Sequence, residues 1–366
     1  NGETCFVLSE RPYYDTTYNL VYLCRMDWLR EVGYDHVPAN YEEYIDAMQK
    51  IKDAGISEYP IGGNMLFAST TFSVDSFSFR DAEISEAEWA QNSSLGTAPI
   101  SWEPLKKWMK RANAEYNAGL MDPEYFTIDS ETEKANFING KQFAYDGYMA
   151  KSVDWLESFY EANPDAELAI LFDYWRLEDG VVDEVQMRSN NPYGMIIGFS
   201  NAATEEELTA AWMYMEWAAL NVKELQNHAE DWNNFNNSVD FWCITAAAVK
   251  EDTIEETIAA IVPQGLPQDF TEELLEYYYY LKGIADEGNA YTDPQFSVVI
   301  DSESEYTSTL LSLAIEYYDT LVMCETDEFD AKYEELSKEY LEAGYQEIIE
   351  ERLAAYESGN STKLPK

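Results

Sequence analysis

The residues best equipped for chemistry in this chain are aromatic rings set near strand ends and in loops. Residues 11–34 read RPYYDTTYNLVYLCRMDWLREVGY, with Tyr13, Tyr14, Tyr18 and Tyr22 around a short link between two apolar runs. Arg11 and Asp15 stand beside the first pair. Rings flanked by a charged donor and acceptor can cover the flat face of a ligand and hydrogen-bond its edge, at low conformational cost. The plain alternative is packing. Tyr18 and Tyr22 flank or lie within the apolar run leading to Trp28 and are expected to pack. Catalysis has less to draw on. His36 and His228 are the only histidines, and neither has metal-ligand spacing. The nucleophile-elbow, phosphate-loop and dinucleotide-binding motifs are absent. With 70 acidic residues, no carboxylate pair stands out for glycosidase geometry. No cofactor and no metal are expected.

The elements that must position these rings follow from periodicity. Residues 4–8 and 19–24 read as short strands. Asn40 followed by Glu43 is a capping box, and Tyr41, Tyr44, Ile45, Met48 and Ile51 then share a helical face that stops near Gly55. YPIGG is strand-like. Ser101 opens a helix striped by Leu105, Trp108, Met109, Ala112 and Tyr116, with Gly119 as its stop. A short helix over 130–139 closes at Gly140 and leads into the strand KQFAYDG. A helix near 150–162 ends before Pro164, and ELAILF (167–172) reads as a strand. YGMIIGF (193–199) is a continuous apolar run of the kind found in strands covered on both faces. Thr204 and Glu207 form a second capping box, followed by the stripe Leu208, Ala211, Trp212, Met215 and Ala219. Helices are expected at 271–287, 302–324, 328–343 and 345–358. Trp28, Trp108, Trp212 and Trp217 fall on helical spacing and are expected in the core. Tyr277–Tyr280 cover every face of one turn, so at least one of those rings must be exposed. Strands alternating with helices predict an α/β protein.

Composition sets limits on partners. The 366 residues suffice for about two domains. Lys and Arg number 23 against 70 Asp and Glu, a formal charge of −47. That surface repels phosphate backbones and anionic lipid, so nucleic acid is excluded as an expected partner. No run approaches the roughly 20 apolar residues of a membrane span. The chain begins at Asn1–Gly2 without a basic or apolar leader, which reads as a processed chain or a fragment. Cys5, Cys24, Cys243 and Cys324 show no metal spacing. An antiparallel pairing of the first two apolar runs could join Cys5 to Cys24. A buried free thiol is the expectation for each of the four.

Several segments taken in order resemble one family: NGETCFVL, YLCRMDWLREVG, YEEYIDAMQKIKDAG, EYNAGLMDPEYF, FINGKQFAYDGYMA and YGMIIGFSNAATEEELTAAWMYMEWA. They resemble extracellular solute-binding proteins of family 1, the carbohydrate-binding components of ABC importers. The ending FDAKYEELSKEYLEAGYQEIIEERLAAYES is similar to the lipoprotein (LipO-like) branch. The resemblance implies a periplasmic-binding-protein-like (type II) α/β fold of two lobes joined by a hinge, with a sugar or oligosaccharide held between them. It makes 1–8 the hinge strand, 9–190 the second lobe, 191–299 the helical remainder of the first lobe, and 300–366 helices packing back on the second. Family members carry around a hundred further residues before this point, so the first lobe is expected to be incomplete here, with strand edges and part of a core exposed. Implied partners are the carbohydrate ligand and the ABC permease transmembrane subunits. The implied protein is an extracellular, Gram-positive cell-surface lipoprotein, monomeric and held at the membrane only by a lipid anchor outside this chain. A glycoside hydrolase or a sugar-sensing receptor module is the alternative. Relatives often carry a calcium loop before the motif matching EYPIGG. KDAGISEYPIGG lacks the alternating oxygen ligands, so calcium is not expected.

A carbohydrate cleft needs rings for C–H faces and fixed polar groups for hydroxyls. On that basis the candidates are Tyr13 and Tyr14 beyond the hinge strand, and Asp146 with Tyr148, where relatives often read G-G-P-W. Trp175 and Arg176 follow ELAILF, and Tyr193 opens the strand re-entering the first lobe. Trp232 lies in HAEDWNNFNN, and Tyr306 opens a long helix that can bring an aromatic to the cleft in relatives. Trp175–Arg176 reads equally as a surface hairpin with a cation–π contact.

Overall fold

A computed structural model describes residues 6–10, 20–62, 84–94, 99–148, 155–171, 187–188, 193–226 and 268–363. The first strands are β1 (Phe6–Glu10) and β2 (Leu20–Arg25), and β2 runs directly into helix α1 (Met26–Glu31). Helices α2 (Tyr41–Asp53), α3 (Glu86–Asn92), α4 (Glu103–Asn117) and α5 (Ser130–Ile138) follow. Next come β3 (Ala144–Tyr148), α6 (Leu156–Ala162), β4 (Leu168–Ile170), β5 (Met187–Arg188) and β6 (Tyr193–Gly198). The chain continues through α7 (Glu205–Gln226), α8 (Gln268–Asp286) and β7 (Ala290–Tyr291). It closes with α9 (Asp301–Met323), α10 (Phe329–Tyr340) and α11 (Gln346–Glu357).

Both N-caps form, and Glu207 reaches back to the Thr204 amide at 2.8 Å, whereas Glu43 reaches the Ala39 amide at 2.9 Å. Asn40 Oδ1 accepts from the Glu43 amide at 2.9 Å, and Thr204 Oγ1 from the Glu207 amide at 3.3 Å. The glycines expected to stop helices adopt positive φ: +70° at Gly55, +67° at Gly119 and +68° at Gly140. That conformation lets the chain leave a helix in a left-handed turn without a Cβ clash.

The main sheet has the order β3-β2-β4 with both neighbours antiparallel to β2. Alternation along β2 separates two cores. Tyr22 and Cys24 face one that includes Tyr44, Met48, Trp108, Leu310, Tyr318 and Ile348, from α2, α4, α9 and α11. Val21 and Leu23 face the other, with Phe137, Trp155, Phe159, Leu274, Tyr277 and Leu281 from α5, α6 and α8. The result is a helix–sheet–helix sandwich, and the C-terminal helices complete its first layer. Arg25 locks the far end of β2. It is buried, pairs with Asp27 at 2.6 Å, and lies 4.7 Å from the Trp28 ring and 5.5 Å from that of Phe159. The planar guanidinium suits both tasks at once.

Two expectations change, and one open possibility closes. β1 pairs with β6, not with β2, because the register Phe6↔Gly198 to Glu10↔Tyr193 takes its ladder, and β2 already has a strand on each side. The pairing that would join Cys5 to Cys24 therefore does not form. Cys24 is a free, fully buried thiol, and Cys324 is also free and buried; Cys5 and Cys243 lie outside the described residues. YPIGG contributes only an isolated bridge, Ile61↔Met121. Among the described residues β6 has β1 as its one neighbour, with Ile197 half-buried and Gly198 exposed. Trp28 and Trp108 are core residues, but Trp212 and Trp217 are 50% and 46% exposed. Spacing groups residues on a face but does not say what covers it. Trp212 instead stacks on Phe199 with centroids 5.7 Å apart, and Trp217 on Tyr214 at 6.3 Å. In the four-tyrosine turn, Tyr277 and Tyr278 are buried and Tyr279 is exposed.

Candidate ligand-binding site

Because β3 and β4 both run antiparallel to β2, their carboxyl ends meet at the amino end of β2. The register puts Tyr148 opposite Leu20 and Asp146 opposite Tyr22. Past the end of β4, the Leu171 amide donates to the Tyr22 carbonyl at 2.8 Å. Leu171, just past β4, therefore lies toward the end where β2 begins. In open α/β sheets, ligands bind in the crevice outside the carboxyl ends of the strands.

The β1–β6 pair adds a second boundary. Glu10 pairs with Tyr193 after an irregularity between Leu8 and Glu10. The nine residues 11–19 then connect the Glu10–Tyr193 position to the Leu20–Tyr148 position. The ten residue steps from Glu10 to Leu20 span at most roughly 33–36 Å, which bounds the distance between the two strand pairs. Backbone register thus brings Asp146, Tyr148 and Tyr193 to the ends of the link that carries Tyr13 and Tyr14. Glu10 is in the same place and was not among the sequence candidates. Its partner strand lies far along the chain, and no local pattern marks that pairing.

Tyr13, Tyr14, Trp175, Arg176 and Trp232 lie outside the described residues. Tyr306 has partners elsewhere. Its hydroxyl donates to Glu347 Oε2 at 3.2 Å, and its ring lies against Gly344, at the kink between α10 and α11. Burial, together with Glu305 and Glu347, holds the Tyr306 hydroxyl above the usual phenol range.

Most of the buried charge has structural work. Glu115 accepts from the Tyr41 hydroxyl at 3.0 Å, and the Arg111 guanidinium sits 4.0 Å above the Tyr41 ring. Burial, then Glu115, pushes the Tyr41 phenol far up. Asp319 accepts from the Tyr125 hydroxyl at 2.7 Å, and burial raises the Asp319 carboxyl against the opposing effect of that bond. Arg352 is buried, binds Glu303 at 2.6 Å and donates to the Gln91 carbonyl at 2.9 Å. These groups fasten helices to one another, and none belongs to the strand ends. Among the described residues no cluster of His, Cys, Asp and Glu could hold a metal ion. Among the described residues no helix is long and apolar enough to cross a membrane.

No protein-family model matches the chain, and no curated protein matches it. Solved structures do. The alginate-binding protein AlgQ2, crystallised without calcium ion, aligns over 96% of this chain and 74% of its own, with TM-score 0.55 and 11% identity. The maltose-bound MalE3 of T. maritima aligns over 89% and 71%, with TM-score 0.43 and 14% identity. The galacto-N-biose-/lacto-N-biose I-binding protein of the ABC transporter from Bifidobacterium longum, in complex with lacto-N-biose, aligns over 93% and 71%, with TM-score 0.42 and 13% identity. At these identities the likeness concerns the fold, and the first carries it. The chain has the two-lobe, periplasmic-binding-protein-like α/β fold.

Proposed function

We propose that this chain is the substrate-binding component of an ABC importer and takes a sugar or oligosaccharide in the cleft between two lobes. The observation behind this reading is the strand order β3-β2-β4, which collects two carboxyl strand ends and the Tyr-rich 11–19 link at one edge. The fold's neighbour AlgQ2 adds support, since it is an alginate-binding protein. In this reading Tyr13, Tyr14, Tyr148, Trp175 and Tyr193 present rings to C–H faces, while Asp146 and Arg176 bind hydroxyls. Trp232 and Tyr306 are the outlying candidates. Residues 9–190 with the helices after 300 form one lobe, and the strand ending near residue 8 crosses the hinge. Residues 191–299 go to the other lobe, except that α8 packs on the sheet of the first.

The mechanism is closure. A sugar touching both lobes binds the closed form more tightly than the open one, so the population shifts toward closed, which the permease then engages. The chain performs no chemistry on the sugar. It acts outside the cell as a monomer of the lipoprotein branch, held at the surface by a lipid anchor. A glycoside hydrolase is disfavoured, because AlgQ2 is a binding protein and Glu115, Asp319 and Glu303 are each engaged by a tyrosine or an arginine.

A thermal-shift screen against neutral and uronic-acid oligosaccharides tests this. A ligand at 100 times its dissociation constant adds about 2.7 kcal/mol to the folded state, a shift of a few degrees. A reproducible shift with one sugar class is expected, and it should be lost on Tyr148→Ala or Trp175→Ala. A well-folded sample that responds to no sugar, or that cleaves the oligosaccharides, refutes the reading.

A further inference from the structure

A second concave site lies at the other end of the sheet, away from the strand ends described above. A cavity of about 430 Å³ is bounded by the 56–62 segment, Asp122, Ile128, the last turn of α5 and residues 140–142, just before β3 begins. The volume falls in the range of small-molecule sites. Its walls are built from the backbone outward. The Phe143 amide donates to the Pro60 carbonyl at 2.8 Å, the Ile61 amide to the Leu120 carbonyl at 3.1 Å, and Ser57 Oγ to the Lys141 carbonyl at 2.5 Å. Gln142 is buried and donates to the Ala144 carbonyl at 3.1 Å. A Cβ at Gly62 would stand 2.6 Å from Glu133 Oε1, so glycine is what fits against that buried carboxylate.

The lining selects for a ligand class by its balance. Glu58 and Asp122 offer carboxylate acceptors, and Lys141 offers an ammonium with no ion pair among the described residues. This excess of carboxylates turns anions away and suits a ligand rich in hydroxyl donors, while Lys141 can donate to its oxygens. The half-buried Asn136 amide makes no hydrogen bond to the described residues and can both donate and accept. Tyr59 with Ile56, Ile61 and Ile128 supplies apolar surface between these groups. We propose that this cavity binds a single neutral, polyhydroxylated ring, a monosaccharide unit, independently of the inter-lobe cleft.

The three isoleucines make the test direct. The full chain, labelled with 13C at isoleucine methyls and assigned by Ile→Val variants, is titrated with D-glucose, D-galactose, D-mannose and N-acetyl-D-glucosamine. The methyls of Ile56, Ile61 and Ile128 are expected to shift saturably with at least one of these sugars, while those of Ile51 and Ile348, deep in the core, stay fixed. Asn136→Ala should weaken that response about tenfold, the equivalent of one or two lost hydrogen bonds. Unchanged Ile51 and Ile348 signals in the variant report that it is folded. Three methyls unmoved by all four sugars overturn the proposal. So does the same dissociation constant in Asn136→Ala, which would assign the shifts to binding elsewhere.

Discussion

Gly344 is the position where one added carbon has the most to disturb. It adopts φ +122° and ψ −11° at the kink joining α10 to α11. A Cβ there would stand 2.5 Å from Cδ1 and 2.8 Å from Cδ2 of Tyr306, and closer still to Cγ. Gly344→Ala therefore carries two separable costs. Holding a residue with a side chain at that φ costs about 1–3 kcal/mol, and forcing the ring aside costs about 1–3 kcal/mol more. The sum centres near 4 kcal/mol. For 366 residues unfolding as one unit, the unfolding entropy is roughly 0.8 kcal/mol/K, so the midpoint should fall by about 5 °C. Tyr306 is only half-buried and can swing outward if its bond to Glu347 is given up. Urea denaturation of wild type, Gly344→Ala, Tyr306→Ala and the double variant separates the two costs. In the double variant the clash is gone and the strain remains, so the losses should fall short of additive by about 1–3 kcal/mol. A Gly344→Ala protein within 1 kcal/mol of wild type would refute the geometry, as would strictly additive losses.

Three further outcomes are expected. Glu351 accepts from the Asp301 amide at 3.0 Å and the Ser302 amide at 2.9 Å, which caps α9 and holds its carboxyl below the usual range. A depressed carboxylate stabilises the fold above its unfolded pKa and loses that contribution as pH falls. Glu351→Ala should therefore cost about 1–2 kcal/mol at pH 7, and the difference from wild type should fade between about pH 5 and pH 3 in thermal melts. Asp319 has the opposite sign, since burial raises its carboxyl and the charged form is the less favoured one in the fold. Asp319→Asn keeps an acceptor for Tyr125, so it should match or exceed wild type at pH 7, whereas Asp319→Ala should lose about 1–3 kcal/mol by leaving the phenol unpaired. Cys24 and Cys324 are buried, and burial pushes both thiols up. Iodoacetamide labelling of the native protein, mapped by mass, should leave both unmodified until denaturant is added.

Much of the helical half is legible because its signals are local. Asn40 and Glu43, or Thr204 and Glu207, lie three positions apart and report on one backbone turn. Gly55, Gly119 and Gly140 mark left-handed exits for the same reason. The pairings of the strands are not local. Nothing in FVLSE says that its ladder partner is YGMIIG, nor that the central place in the sheet belongs to LVYLCR. The exposed Trp212 and Trp217 come from the same limit, since a periodic stripe is equally periodic with or without a partner. At the candidate site, residue types pointed to Asp146, Tyr148 and Tyr193, but their shared edge follows only from register. Glu10 had no marker at all.

The split of β2 between two cores also governs the order in which the molecule can be completed. Tyr22 and Cys24, near the start of the chain, have among their core partners Tyr340 and Ile348, more than 300 positions later. On the other side of the same strand, Val21 and Leu23 wait for Leu274 and Leu281. During synthesis the strand that organises the sheet emerges early, and its two cores are completed only when these late helices have been made. Contacts this distant in sequence slow folding and prolong the life of the unfolded chain. A chain cut short before residue 310 would lack part of one core, so full stability waits on the last helices.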